Sequence, residues 1–340
     1  MMLTRMHLKN FKGFRDTEIP EFRKVNLIVG RQNVGKTSLL EAVVFVAGDV
    51  ENSKGSRSRL PKIFRPNEGN DSLRFWHGIV GALDKLNKPL VMVKLNDEDY
   101  LMGGYVVGNS LQEAQTSFVN FSGGHLNPSV TTKFFNIEVL GGAHLITGIR
   151  NSLFENLIVH PFSVFSESAA EQVKIYGQLV IKKKKKTVLK LLQKIEPRIV
   201  SIDAVAPDDE HRVYVELNNG QVLPLSQLGH GFTRLFELYS GLAVIDSKLA
   251  LIDEIENGIH YSALPTVFQG IRELSDFSGV QSIITTHSLE CIQAACEVFK
   301  DKPEDFQIIR LERTEDDNVR AVAINDENLA TVMASGWEIR

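Results

Sequence analysis

The alternation of apolar and polar residues at the start of the chain predicts three short β-strands. Residues 2–11 alternate, a bend follows around Gly13, and residues 24–30 form an apolar run that ends in glycine. Beyond Thr37 the apolar residues recur at helical spacing, at Leu39, Leu40, Val43, Val44 and Val46. We therefore expect the order strand, turn, strand, strand, helix.

The middle of the chain shows weaker patterns, which favour loops and further strands. Residues 51–74 are polar and contain two prolines, as is typical of a loop. Residues 90–107 predict a hairpin that turns near residues 97–99. Paired glycines between residues 108 and 150 favour additional strands and turns.

Two helices are predicted between residues 166 and 196, with a break at the lysines 182–186. The second has apolar residues at helical spacing, so Thr187 is the expected cap and Pro197 the expected end.

The last third of the chain carries clearer strand signals. We expect a strand at 212–217 and two buried strands at 248–254 and 282–287. Helices are expected after Gly231 and from about Ser262. The residues after His287, with IIRLER at 308–313 and VRAVAI at 319–324, predict a closing pair of β-strands.

The composition excludes several classes of protein. The chain has 340 residues, of which 43% are hydrophobic and 24% charged, values typical of a globular protein of roughly two domains. Cys291 and Cys296, the only cysteines, cannot form a disulfide framework or a four-cysteine zinc site. The N-terminus is interrupted by charge, and no apolar run approaches the ~18 residues of a membrane span. We therefore expect a cytoplasmic protein without a signal peptide or membrane segment.

The formal net charge of −4 hides an asymmetry along the chain. Residues 49–197 contain 19 basic and 14 acidic residues, a net charge of +5, whereas the remainder carries a net charge of −9. Either the two parts of the chain interact with partners of different charge, or the middle part only has a few basic loops.

Residues 30–37, GRQNVGKT, match the phosphate-binding pattern G-x-x-x-x-G-K-[ST] between a predicted strand and a predicted helix. The glycines allow a tight turn whose N–H groups point inward at phosphates, and the helix N-terminus adds a partial positive charge. Lys36 is expected to bind the β- and γ-phosphates, and the Thr37 hydroxyl to bind Mg²⁺. The nucleotide-binding residues expected from this segment are Gly30, Asn33, Gly35, Lys36, Thr37 and Ser38.

Two later strands end in residues suited to phosphate chemistry. The strand at 248–254 ends in Asp253, an expected Mg²⁺ ligand, and Glu254, which would polarise the attacking water. His287 ends the next predicted strand, from which it would reach the γ-phosphate, although a histidine at a strand end is more often structural. A hydrolase triad of Ser288, Glu290 and His287 is rejected, because sequence neighbours rarely converge and no G-x-S-x-G elbow exists. The expected catalytic residues are therefore Glu254, His287 and Lys36.

The order of these segments resembles ABC-type ATPase heads of the SMC/RecF/OLD group of AAA-family ATPases. The resemblance rests on residues 7–14, 27–43, 223–238, 251–264 and 283–288. It implies an α/β fold: a P-loop NTPase core sheet flanked by helices, with an antiparallel β lobe and an inserted α+β lobe. It places the head in residues 1–48 and 198–340, and the insertion, with its basic loops, in 49–197.

The resemblance also implies a homodimer in which ATP, with Mg²⁺, is sandwiched between two heads. The signature segment that caps the partner's γ-phosphate would be Ser226, Gly229 and Gly231, with two alignments open: the signature serine is Ser226, or the helix starts at Gly229. Asn10 and Lys12 lie where relatives contact adenine or phosphate. Asn257 and His260 depart from the family's D-loop pattern, which leaves subunit communication there open.

Several absences narrow the resemblance to a lone head with an insertion. The chain has no long heptad pattern for a coiled coil and no C-x-x-C for a zinc hook. Only 53 residues follow His287, too few for the TOPRIM nuclease domain of OLD proteins.

Two basic clusters favour contact with DNA or RNA through the phosphate backbone, although each is also compatible with a solvated lysine-rich loop. The clusters are Lys54, Arg57, Arg59, Lys62 and Arg65, and Lys182, Lys183, Lys184, Lys185 and Lys186. Two hypotheses follow. In the first, the protein is a Mg²⁺-dependent ATPase whose dimer clamps DNA or RNA in defence or repair. In the second, it is an ATP-dependent scaffold that holds a separately encoded nuclease or toxin, as in OLD-like anti-phage systems. A transporter ATPase is less favoured, because the start of the chain resembles the DNA-associated group.

Overall fold

A six-stranded sheet forms the centre of the protein in the computed structural model. The structure describes residues 2–47, 90–95, 98–107, 115–122, 135–140, 143–148, 159–162, 167–207, 210–244 and 249–324. The sheet has the order β16-β15-β3-β14-β13-β9. Its strands are β3 (Val25–Val29), β9 (Val159–Phe162), β13 (Leu249–Ile252), β14 (Gln281–Thr285), β15 (Phe306–Arg313) and β16 (Val319–Ile324). All neighbours are parallel except β15 and β16.

The central strands are buried on both faces. Every residue of β3, β13 and β14 is buried, so these strands lack the alternation of buried and exposed residues that a sheet with one solvated face shows. Such a sheet needs helices on both faces to exclude water from it.

Six helices are described. They are α1 (Lys36–Ala47), α2 (Ala169–Ile181), α3 (Lys185–Ile195), α4 (His230–Val244), α5 (Leu264–Ser278) and α6 (Leu289–Phe299). Helix α4 is buried at every residue from Phe232 to Ala243, and its neighbours include α2, α3 and α5. It is therefore the central helix of the hydrophobic core. None of the described helices is long and apolar enough to cross a membrane.

Three further sheets are antiparallel. The largest has the order β2-β1-β4-β5-β6, from strands β1 (Leu3–Phe11), β2 (Phe14–Ile19), β4 (Leu90–Leu95), β5 (Glu98–Val107) and β6 (Gln115–Ser122). Strands β7 (Phe135–Leu140) and β8 (Ala143–Gly148) pair with each other. Strands β10 (Ile199–Val205), β11 (Arg212–Leu217) and β12 (Val222–Pro224) form the third sheet.

Most predicted elements are confirmed, including the first three strands, the hairpin of β4 and β5, and the closing pair β15 and β16. Strands β9 and β10 were not predicted. The predicted cap Thr187 is wrong, because α3 begins at Lys185 with Lys184 as its N-cap. The N–H groups of Lys182 and Lys184 close the end of α2, so the second helix starts directly after that turn.

The division into a head and an insertion at residues 49–197 stays a prediction. Within that range, β9 pairs with β13 of the central sheet, β4 pairs with β1, and α2 and α3 both pack against α4. These contacts tie part of the range to the remainder of the chain. The loop predicted at residues 51–74 lies outside the described residues.

Gly270 of α5 packs against the ring of Tyr239 in α4, and this contact generates a prediction about stability. A Cβ at Gly270 would lie 2.7 Å from the Tyr239 ring, which is fully buried. We expect Gly270→Ala to destabilise the protein by roughly 1–3 kcal/mol through overpacking, despite the better helix propensity of alanine. Urea unfolding followed by circular dichroism measures the change.

Gly177→Ala in α2 is the matched control, because a Cβ there would meet no atom within 4 Å. It should leave stability unchanged or raise it by up to ~1 kcal/mol. Equal effects of the two substitutions would show that the helix contact at Gly270 does not constrain the core.

Candidate nucleotide-binding site

The loop between β3 and α1 has the backbone shape of a phosphate cradle. Gly30 has a φ of +143° and Gly35 of +110°, and Asn33 between them is also left-handed, at +60°. A Cβ at Gly30 would lie 2.5 Å from the carbonyl oxygen of Leu311, so only glycine fits there without displacing β15. Strand, loop and helix follow each other as the sequence predicts, with β3 ending at Val29 and α1 beginning at Lys36.

The ammonium group of Lys36 folds back onto this loop. Its Nζ donates hydrogen bonds to the carbonyl oxygens of Gly30, at 2.8 Å, and Arg31, at 3.0 Å. Burial lowers the pKa of Lys36, and the negative charges of Glu256, Glu254 and Asp253 oppose that shift. The Lys36 ammonium group therefore lies within the loop, where it is hydrogen-bonded to two carbonyl oxygens and feels the charges of three carboxylates.

Thr37 and Asp253 meet across the site although they are 216 residues apart. The Thr37 hydroxyl lies 3.1 and 3.2 Å from the two carboxylate oxygens of Asp253, and the hydroxyl of Thr285 donates to the same carboxylate at 2.6 Å. Asp253 is buried, and burial raises its pKa, while the Thr285 and Thr37 hydrogen bonds oppose this.

This oxygen pair fits a Mg²⁺ ion that is shared with a nucleotide. Mg²⁺ is typically bound by one or two carboxylates or hydroxyls together with phosphate oxygens and water. Among the residues that the structure describes, no group of three or more His, Cys, Asp or Glu side chains is arranged to hold a metal. Thr37 and Asp253 would therefore supply two oxygen ligands, and phosphate oxygens and water would complete the shell.

Glu254 adopts a strained backbone conformation directly after β13. Its φ is +45°, a left-handed conformation that costs a residue with a side chain on the order of 1–3 kcal/mol. Its N–H donates to the Thr285 hydroxyl at 2.8 Å, so that one hydroxyl fixes both Asp253 and Glu254. The turn is therefore held from β14, the neighbouring strand.

Arg234 of α4 holds the same turn from the other side. Its guanidinium donates to the carbonyl oxygens of Asp253 at 2.5 Å, Glu254 at 2.7 Å and Asn257 at 2.8 Å. The side chain is buried, and this burial lowers its pKa. Three carbonyl acceptors thus compensate the cost of burying the guanidinium.

The segment assigned by resemblance to the signature motif begins α4. Ser226 lies exposed in a single 3₁₀ turn, Leu225–Leu228, Gly229 is exposed with a φ of +93°, and α4 starts at His230. A Cβ at Gly231 would lie 1.8 Å from the carbonyl oxygen of Gly258, so the helix start is packed against the segment that follows Glu254. The roles of Ser226, Gly229 and Gly231 stay predictions.

His287 lies just beyond β14 and contacts a carboxylate that sequence analysis did not select. Its Nδ1 is 2.9 Å from Oε1 of Glu256, and its backbone N–H donates to the same oxygen at 2.8 Å. Glu256 lies two residues after Glu254 in the predicted site segment, which is the only sequence signal for it.

Lys12 and Asn10 lie at the end of β1, where both have positive φ values. The ammonium group of Lys12 forms an ion pair with the buried carboxylate of Glu41 in α1. Lys12 thus contacts the helix that follows the phosphate loop. The direct nucleotide contacts assigned to Lys12 and Asn10 stay predictions.

The lysine turn between α2 and α3 is only partly available for ligands. Lys182 donates to the carbonyl of Val244 at 2.6 Å, Lys184 lies 3.6 Å from the centre of the Phe277 ring, and Lys185 binds Asp203 at 2.5 Å. Lys183 and Lys186 are exposed. The other predicted cluster, Lys54, Arg57, Arg59, Lys62 and Arg65, lies outside the described residues.

Known proteins that are similar in sequence to this chain include nucleotide-hydrolysing ATPases and a phosphatase. Residues 139–292 match the family model described as "AAA domain, putative AbiEii toxin, Type IV TA system", and residues 1–100 match "AAA ATPase domain". An "ATP/GTP phosphatase" of Helicobacter pylori is 23% identical over 88% of this chain and 89% of its own length. The "DNA replication and repair protein RecF" of Lactobacillus johnsonii is 30% identical over 28% of this chain and 22% of its own.

Solved structures show the same fold. An Smc head bound to the C-winged helix domain of ScpA is 15% identical with a TM-score of 0.61, covering 97% of this chain and 100% of that one. An Smc head with an extended coiled coil, bound to the C-terminal domain of ScpA and derived from Pyrococcus furiosus, is 13% identical with a TM-score of 0.56, covering 98% of both. The chain thus has the fold of an Smc head, and the two AAA family matches and the similarity to RecF support an SMC/RecF-like ABC-type ATPase head.

Proposed function

We propose that the protein binds and hydrolyses ATP with Mg²⁺ at the loop between β3 and α1. The observation that carries this proposal is the meeting of Thr37 and Asp253, 3.1 Å apart, beside the left-handed loop and the Lys36 ammonium. A bound Mg²⁺ would bridge the phosphates and neutralise the charge that develops during phosphoryl transfer. The matches to two AAA family models and the phosphatase relative support the same reaction.

The side chains around the loop have separate roles in this reaction. Lys36 exchanges its two carbonyl acceptors for phosphate oxygens, a substitution that its position in the loop allows without moving the backbone. Glu254 orients and polarises the attacking water, and its strained turn holds the carboxylate at the edge of the sheet. His287 contacts the γ-phosphate or the water from the end of β14.

The active form in this proposal is a homodimer with ATP between two heads. Ser226 and Gly229 are exposed just before the N-terminus of α4, where backbone N–H groups and the helix dipole favour an anion. A phosphate bound by the partner head would supply that anion. Dimer formation would then depend on ATP, because the nucleotide contributes part of the interface.

The dimer would act in the cytoplasm on DNA or RNA, in repair or in defence. The RecF relative, named for DNA replication and repair, and the exposed lysines at the turn between α2 and α3 support this proposal. The second candidate is a scaffold for a separately encoded effector such as a nuclease or toxin. The two Smc heads solved with ScpA domains, and the family model named for a toxin system, favour that alternative.

Glu254→Gln is the first test, and we expect it to trap the dimer. The amide keeps the shape of the side chain but cannot act as a base, so ATP should bind while kcat falls by roughly 10²–10⁴-fold. Light scattering with ATP and Mg²⁺ should give twice the monomer mass.

Lys36→Ala is the control for this experiment, because it removes the cation that binds the phosphates. It should remain monomeric with ATP and show no nucleotide binding in calorimetry, while its circular dichroism spectrum stays that of the parent. Retained ATP affinity in Lys36→Ala would refute the phosphate-loop assignment, and a monomeric Glu254→Gln protein with ATP would refute the sandwich dimer.

The exposed lysines give a second prediction, which separates the two candidate functions. Replacing Lys183, Lys186 and Lys190 by alanine should weaken binding to a fluorescent 30-nucleotide DNA at least tenfold at low salt and reduce the salt dependence. The reason is the loss of three exposed charges that release counterions. Fluorescence anisotropy with ATP and Mg²⁺ measures this.

A matched variant, with alanine at Lys300, Lys302 and Arg320, removes the same charge elsewhere and should bind DNA like the parent. If both triple variants bind alike, this surface does not contact nucleic acid. The effector hypothesis then becomes the better one.

A further inference from the structure

Glu256 is the acidic side chain of the site to which the proposed hydrolysis assigns no role. It is 12% exposed and lies three residues after Asp253, in the segment whose carbonyls Arg234 holds. Its negative charge is the largest of those that oppose the lowering of the Lys36 pKa. The carboxylate therefore interacts electrostatically with the Lys36 ammonium and contacts His287 directly.

One oxygen of this carboxylate, Oε1, receives two contacts from His287. The backbone N–H donates to it at 2.8 Å and the ring Nδ1 lies 2.9 Å away. Two contacts from one residue fix the ring relative to the end of β14. The other oxygen, Oε2, is buried and has no hydrogen-bond partner among the described residues.

The chemistry of this pair decides which ring nitrogen carries the proton. An ionised carboxylate only accepts hydrogen bonds, so Nδ1 must hold a hydrogen to make the 2.9 Å contact. In the neutral ring, Nε2 is then the acceptor nitrogen. In the protonated ring, Nε2 also carries a hydrogen and becomes a donor.

We infer that Glu256 is a positioning residue that fixes the orientation and tautomer of His287, so that Nε2 faces the reacting phosphate and water. The neutral ring then accepts a hydrogen bond from the water, and the protonated ring donates one to a phosphate oxygen. A neutral ring with its proton on Nε2 would instead present a donor, and not an acceptor, at that nitrogen. The role of Nε2 in the reaction rests on the proposed ATP hydrolysis, whereas the tautomer of His287 does not depend on it.

The tautomer is measured directly on the folded protein without nucleotide. Nitrogen-15 labelling of the nine histidines, with the His287 signals identified by their loss in His287→Gln, shows which nitrogen is protonated at a pH where the ring is neutral. We expect the proton on Nδ1 in the parent and a shift to Nε2 in Glu256→Ala. A proton on Nε2 in the parent, or an unchanged spectrum in Glu256→Ala, would overturn the inference.

Glu290→Ala is the matched control for this spectrum. It removes a carboxylate three residues after His287 that accepts a hydrogen bond from the Ser288 hydroxyl at 2.7 Å. It should leave the His287 signals on Nδ1. If it moves them as much as Glu256→Ala does, the tautomer does not depend on Glu256 and the inference fails.

Kinetics then test whether Glu256 acts through His287. Removing a residue that orients a functional histidine typically costs 10–100-fold, so Glu256→Ala should lower kcat by about that factor with little change in KM. In a His287→Gln background, Glu256→Ala should lower kcat no further. Full additivity of the two losses would show that Glu256 supports the fold or the nucleotide independently of the histidine.

The two outcomes separate the inference from the proposed function. A parent protein that does not hydrolyse ATP would refute the proposed function, while the nitrogen spectrum would still decide the tautomer. A parent that hydrolyses ATP with the His287 proton on Nε2 would leave the ATPase intact and refute the role of Glu256.

Discussion

The geometry of this site depends most on the hydrogen bonds that the buried Arg234 guanidinium donates to the turn after β13. The guanidinium donates to the carbonyl oxygens of Asp253, Glu254 and Asn257 in that turn, at distances of 2.5 to 2.8 Å. Charge-assisted hydrogen bonds of this kind are roughly twice as strong as neutral ones, and a planar guanidinium fixes direction as well as distance. The strained φ of Glu254 persists because Arg234 on one side and Thr285 on the other leave the turn no alternative.

The same arginine joins the two functional ends of the molecule. Arg234 stands one turn beyond the start of α4, and the start of α4 itself packs against Gly258 through Gly231. The helix is buried from Phe232 to Ala243, so it is packed tightly into the core. In the proposed dimer, a phosphate in front of α4 would bind at the start of the same helix whose Arg234 holds the turn that carries Glu254.

Sequence analysis identified the parts of the site whose chemistry is local. The phosphate loop is a continuous segment with fixed glycine, lysine and threonine positions, and Asp253 and Glu254 follow an apolar run that can only be a buried strand. The family, the fold class and most elements follow from these segments. The phosphate loop can therefore be identified from a short stretch of sequence alone.

The residues that sequence analysis missed act through packing. Arg234 donates to carbonyl groups that lie 19 to 23 residues later in the chain. Glu256 follows β13, and its contact His287 follows the neighbouring strand β14. No short sequence pattern indicates either contact. Strand β9 has only four residues, and its pairing with β13 depends on the whole sheet. The wrong cap at Thr187 has a similar origin. Lys183 adopts a left-handed conformation that ends α2 and lets α3 begin at once, which the run of lysines does not reveal.

The most direct test of this account is hydrogen exchange of Arg234→Lys compared with the parent protein. Lysine keeps the positive charge but loses the fork that spans three carbonyls. The account predicts that amides at residues 230–238 and 253–258 lose protection together and by similar free energies, while those of β15 stay protected. Loss of protection in only one of the two segments, or exchange identical to the parent, would contradict the claim that Arg234 couples the helix to the catalytic turn.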